Sequence, residues 1–214
     1  VEDIIDFDLF LYSTDKGSLI GLNEEFISCP KLDNLAMVHG GLYALIDGAV
    51  EKGTNVLACF DNEEVGSMTK QGAASPFLRT VLERIILALG KDKEDYFRAL
   101  ANSFMISADM AHALHPNYRD KNDLTNKPII NKGPEIKIAA NQAYTSDAMT
   151  AAAYESICKM LDIPVQRFVN RSDQRGGSTI GPISTSQLDI PSVDIGNPIL
   201  SMHSVRELGG VMDH

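Results

Sequence analysis

Short apolar runs that end in acids, alternating with stretches of helical period, constrain this chain more than any other feature. The clearest run, residues 56–60, stops at Asp61-Asn62-Glu63-Glu64-Val65-Gly66-Ser67. Its length and polar flanks suit a buried strand. A second, residues 104–108, stops at Asp109. Residues 136–138, 165–169 and 191–195 read as further strands. Residues 4–12 read as a half-exposed one, with Asp6 and Asp8 alternating with Phe7 and Leu9. Between these runs, Leu35, Val38, Leu42, Leu45 and Ala49 recur at helical spacing, with Asp33 near the expected N-cap and Gly53 as the stop. Ser75-Pro76 opens a helix that runs to Gly90, and another occupies residues 93–101. A further helix over 147–161 carries Ala151, Tyr154, Cys158 and Leu161 on one face. This alternation predicts an α/β sandwich with helices on both faces. Ligands in such folds sit at the carboxyl ends of strands, where Glu63, Glu64 and Asp109 would lie.

Length and composition narrow the function. The 214 residues suffice for one domain, and neither a repeat nor a linker-like stretch divides them. A formal net charge of −10 argues against nucleic acid, whose phosphates need clustered Lys and Arg. Cys29, Cys59 and Cys158 are odd in number and widely spaced, which points away from a disulfide framework or zinc finger and toward a reducing, cytoplasmic setting. No apolar run approaches a membrane span of ~18 residues, so no membrane partner is expected. The chain starts without Met inside a strand-like run and stops at Gly209-Gly210-Val211-Met212-Asp213-His214 without a closing helix, which reads as a portion of something longer.

Acids and one imidazole gather at element ends: Asp33, Glu63, Glu64, Asp109 and His203. Adjacent Glu63 and Glu64 on a strand end must point apart, so one can bind while the other faces a reacting water. A solvated turn is the bland alternative. Imidazole plus carboxylates is a ligand set for zinc, manganese or cobalt. Spacing alone leaves open whether the five converge. A glycosidase using Glu63 and Asp109 would need two carboxyls and no metal, but would have no use for His203.

Four motifs go further: Pro30-Lys31-Leu32-Asp33-Asn34-Leu35, Asp61-Asn62-Glu63-Glu64-Val65-Gly66-Ser67, Ser107-Ala108-Asp109-Met110-Ala111-His112-Ala113 and Met202-His203-Ser204-Val205-Arg206-Glu207. Together they closely resemble the aspartyl aminopeptidase family of dinuclear metallo-aminopeptidases, which includes yeast vacuolar aminopeptidase I. The resemblance implies a three-layer zinc-exopeptidase-like sandwich around a central mixed sheet. Residues 1–214 would be the C-terminal portion of the catalytic domain, without the family's dimerisation insert. It implies two divalent ions, zinc first with manganese or cobalt as alternatives, and peptide substrates losing N-terminal residues, acidic ones among them. The full-length enzyme would be a homo-oligomer. By the same resemblance Asp33 bridges the metals, Glu64 and His203 complete one set, Asp109 serves the other, and Glu63 is the general base. The bond after Asp33 would be cis. Lys137 and His115 would meet the substrate, Lys137 by lining an acidic-residue pocket and His115 by steadying the oxyanion. Two departures stand out. No His is followed two residues later by Asp, the family's remaining ligand motif, and Arg175-Gly176-Gly177 stands where members often carry Pro-Cys-Gly. The fragment alone would then be inactive, and a catalytically silent fragment or assembly module is the alternative reading.

Overall fold

The computed structural model describes residues 3–49 and 52–214. In chain order the elements are β1 (Ser18–Ile20), β2 (Phe26–Cys29), α1 (Leu32–Asp47), α2 (Phe77–Ala88), α3 (Lys93–Ala101), β3 (Met105–Ala108), β4 (Ala111–His112), β5 (Glu135–Ile138), α4 (Ala148–Met160), β6 (Gln166–Val169), α5 (Gly181–Leu188), β7 (Ser192–Gly196), β8 (Pro198–Leu200) and β9 (Glu207–Gly210). One sheet has the order β1-β2-β9-β8-β4 and the other β3-β7-β5-β6. Both mix parallel and antiparallel pairs.

The sheets are joined by two parallel strand pairs that run from one into the other. β3 continues through Asp109 and Met110 into β4, and β7 continues through Asn197 into β8. Hydrogen bonds cross the break, with Asp109 N donating to Ile195 O (3.0 Å) and Ala111 N to Asn197 O (2.9 Å). Two mixed sheets that meet at Asp109 and Asn197 therefore stand where one central mixed sheet was expected. One core cluster, Ile136, Ala151, Val193 and Ile195, packs α4 on the second sheet; the other gathers Leu32, Met110 and Ile199 under the first. Met37 of α1 touches both clusters, so this helix lies over the junction.

Helix ends follow local chemistry. Asp92 and Asp95 form a reciprocal capping box on α3, and Asp147 and Thr150 do the same on α4. Phe77 N donates to Ser75 Oγ at the start of α2 (3.4 Å).

Several expectations change. Residues 4–12 form no strand and are exposed nearly throughout, because their alternation has no ladder to join among the described residues. Residues 56–60 run without a strand partner, and Val56 is half exposed. Regular α1 geometry begins only after Asp33 and Asn34, which have non-helical backbone angles, so Asp33 is not an N-cap. The helix stops at Gly48, short of the expected Gly53, and residues 50 and 51 lie outside those described. The glycine-rich stretch from Arg175 leads into α5, which begins at Gly181 with Pro182 in its first turn.

Candidate metal centre

Three turns build the site. After β2 the chain turns through Lys31 in the left-handed region (φ 59°), and buried Leu32 anchors it in the core beneath. Asp33 follows, with a side chain only 4% exposed, and the Asp33–Asn34 peptide is cis. Asn34 Nδ2 donates to Ala108 O (2.9 Å), tying this turn to the residue before Asp109.

The second turn follows residues 56–60. Asn62 and Gly66 both have positive φ, Ser67 N donates to Asn62 O (2.9 Å), and buried Ser67 pins the turn inward. Glu63 and Glu64 therefore sit on a tight turn, not on the strand end that their spacing suggested. The third turn joins β8 to β9, with Ser201 and His203 in the left-handed region and Ser204 N donating to Ser201 O (3.0 Å).

These turns bring His203 Nε2 to 2.9 Å from Asp33 Oδ2 and 3.0 Å from Glu64 Oε1. Potential ligand atoms of Asp33, Glu64 and His203 all lie within 4.8 Å of one another. The Asp33 carboxyl is also within hydrogen-bonding reach of Asp109. Asp33 thus has Glu64, His203 and Asp109 as its charged neighbours. Burial, then the Asp109 and Glu64 carboxylates, push its pKa up to about 8. Burial with the same two neighbours lifts Glu63 to about 7, against a downward pull from Lys137. Carboxylates crowded this way repel unless a cation joins them. Two carboxylates and one imidazole with mutually close donor atoms fit zinc, leaving room for a further ligand.

Lys137 is buried, not a surface lysine. Its Nζ lies 3.2 Å from Asp109 Oδ2, donates to Met110 O (2.7 Å) and sits 5.8 Å from the Tyr144 ring centre. His115 is on a loop outside the three-residue cluster, where its Nδ1 accepts from Asn117 N (3.1 Å) and its ring packs on Tyr118. The ring proton is therefore on Nε2. His112, on β4, has its pKa lowered by burial and by Lys137. Both histidines line a groove of about 470 Å³ with Phe168, Arg171, Ile199 and Leu200.

Two residues at the site were given no role from sequence, although both fall inside the quoted motifs. Asn34 links the Asp33 and Asp109 turns, and Glu207 lies behind Asp33 and His203. Spacing could not find them, because their partners are backbone groups.

A sequence model described as Aminopeptidase I zinc metalloprotease (M18) matches residues 1–214. A protein of Clostridium acetobutylicum described as "Probable M18 family aminopeptidase 2" is 60% identical over all of this chain, which covers 49% of that protein. The chain spans about half the length of the curated relatives it matches. A chain of the solved Ape4 and Nbr1 complex superposes with a TM-score of 0.90 at 41% identity, over 99% of this chain and 41% of that one. The S. cerevesiae mApe1 dodecamer gives 0.82 at 29%, over 94% and 46%. The four motifs, the clustered acids and imidazole and the match along the whole chain lead to one conclusion: the chain belongs to the Aminopeptidase I zinc metalloprotease (M18) family.

Proposed function

We propose that residues 1–214 are the C-terminal portion of the catalytic domain of a dinuclear aminopeptidase that removes N-terminal residues from peptides. In the fold this corresponds to part of a three-layer sandwich around the two sheets. The convergence of Asp33, Glu64 and His203, with Glu63 beside them, is the observation that carries the reading. Asp33 would be shared by two ions, with Glu64 and His203 on one and Asp109 on the other. Zinc is the first choice for both, on the donor set and on the family. Bound there, the ions would supply Lewis acidity for the scissile carbonyl and an anchor for the free amino terminus.

The remaining chemistry belongs to side chains. Glu63, with its carboxyl near neutrality, takes a proton from the attacking water and returns it to the leaving amine. His115, with its proton on Nε2, can donate to the oxyanion. Lys137, now paired with Asp109, would turn to an acidic N-terminal side chain of the substrate, and the groove between His112 and Arg171 would receive a neighbouring stretch of the peptide. A homo-oligomeric enzyme follows the precedent of the mApe1 dodecamer.

The test uses protein from the complete reading frame. Glu63→Gln keeps its metal and loses roughly 10²–10⁴-fold in turnover, the usual worth of acid–base catalysis, while Glu64→Gln loses metal. The converse pattern, metal lost at Glu63 and untouched at Glu64, would exchange the two roles. An aminoacyl reporter panel decides specificity. Glu and Asp are cleaved faster than Leu, and Lys137→Ala removes the difference; a preference for Leu unaffected by Lys137→Ala ends the acidic assignment.

A further inference from the structure

Glu207 is 2% exposed and opens β9, opposite Cys29 of β2. Its Oε2 accepts from the backbone N–H of Asp33 (2.9 Å), and its Oε1 accepts from the backbone N–H of His203 (2.7 Å). One buried carboxylate thus holds the backbones of two residues whose side chains meet at 2.9 Å. No Lys, Arg or His side chain pairs with it among the described residues.

We propose that Glu207 is a positioning residue that locks the Asp33 and His203 turns in their ligand-presenting form before a cation arrives, and so sets the affinity of the centre. This rests on the metal reading above and deepens it.

Preorganisation is the physical basis. The His203 side chain is 57% exposed and its backbone is in the left-handed region, so the Glu207 bond adds to the Ser204–Ser201 turn bond and the packing of Met202 in holding this turn. Asp33 stands 174 positions away in sequence, at a break in helical geometry. The β2–β9 ladder fixes the Glu207 backbone, and its two oxygens carry that fixity to both turns. Its negative charge also lies directly behind two candidate ligands, which favours a cation in front of them. Partners of this kind, one step behind the ligands, typically matter by 10–100-fold in metal affinity.

Glu207→Gln keeps the shape, removes the charge and sets an amide NH₂ against one of the two N–H groups, releasing one turn. In the protein from the complete reading frame, the expected result is zinc affinity about 10–100-fold weaker, with a changed cobalt absorption spectrum. Turnover should recover in part at saturating metal. A purely structural role would move the melting temperature and leave the cobalt spectrum alone. Metal affinity and spectrum unchanged by Glu207→Gln overturn this proposal by itself; a wild-type protein that binds no cation overturns the metal reading with it. Should the variant not fold, hydrogen exchange on the metal-free wild type decides. The Asp33 and His203 amides should exchange slowly, and exchange of both at open-loop rates sinks the idea.

Discussion

Glu135 is fully buried on β5, and neither of its carboxyl oxygens has a hydrogen-bond partner among the described residues. Burial drives its pKa well above the ordinary carboxyl value, Lys137 pulls it back, and Asp213 pushes it up. Burial therefore makes the proton on Glu135 harder to lose in the folded chain than in the unfolded one. A folded-state pKa raised in this way gives stability that is fully present below the unfolded pKa and is lost as pH rises toward the folded one. Glu135→Met should then stabilise by roughly 1–3 kcal/mol at pH 8, the usual cost of an unsatisfied buried polar group, and by clearly less at pH 5. Denaturant titrations at the two pH values check this, and an equal gain at both would contradict it. The same strand shows the limit of reading single residues. Neighbouring Ile136 and Lys137 are both buried, because β5 lies between β6 and β7 with both faces covered. No residue pattern separates a solvated face from a covered polar one.

Among the elements, the break between the two sheets matters most to the site, and Gly196 permits it. A Cβ there would meet the Asp109 carbonyl oxygen well inside van der Waals contact, and Ala111 N and Lys137 Cε at 3.0 Å. Backbone atoms cannot give way cheaply, so Gly196→Ala should destabilise by about 1–3 kcal/mol through overpacking and weaken metal binding by displacing Asp109. Gly40 on α1 offers the contrast, with nothing within 4 Å of an added Cβ. Gly40→Ala should stabilise by about 0.5–1 kcal/mol through helix propensity. Thermal unfolding and metal titration of the pair separate the two effects; loss of stability in both, with metal binding intact in both, would show that the break is not sensitive to Gly196. At this scale the sequence was most legible where an element satisfies itself. α3 and α4 carry their own capping boxes and were placed to within a residue or two. Residues 4–12 and 56–60 have strand patterns, but a strand exists only with a partner, which a pattern cannot supply. The break at Asp109 was hidden for a related reason, since it depends on close approach to Gly196 far along the chain. Asp33, Glu64 and His203, which the motifs named, lie near one another, whereas Asn34 and Glu207 act through backbone groups that leave no mark on residue type.

Across the whole molecule, exposed surface decides what these residues can do alone. The chain exposes 14502 Å², whereas a compact monomer of 23.3 kDa exposes roughly 9,700 Å² by the usual scaling. Much of the excess is apolar. Ile5 is 98% exposed, Ile46 66% and Leu35 60%, and Val56 is half exposed on its unpaired run. No helix among the described residues is long and apolar enough to cross a membrane, so a bilayer-spanning helix does not account for this surface. The site shows a matching imbalance. Asp33, Glu64 and His203 could offer one ion three protein ligands, but among the described residues a second ion would find Asp109, already engaged by Lys137, and a shared Asp33. A borderline-soft ion holds poorly on two carboxylates. The isolated 214 residues should therefore bind about one equivalent of zinc well and a second weakly or not at all. On the proposed two-metal reading, losing one ion would remove half of the clamp. Negligible peptide hydrolysis is expected from the isolated chain with zinc, manganese or cobalt supplied, together with strong binding of apolar dyes. Protein from the complete reading frame should hydrolyse peptides and bind little dye. Metal stoichiometry and reporter hydrolysis on both preparations test this; two tightly held ions with full turnover in the isolated chain would show that a further ligand comes from within these residues.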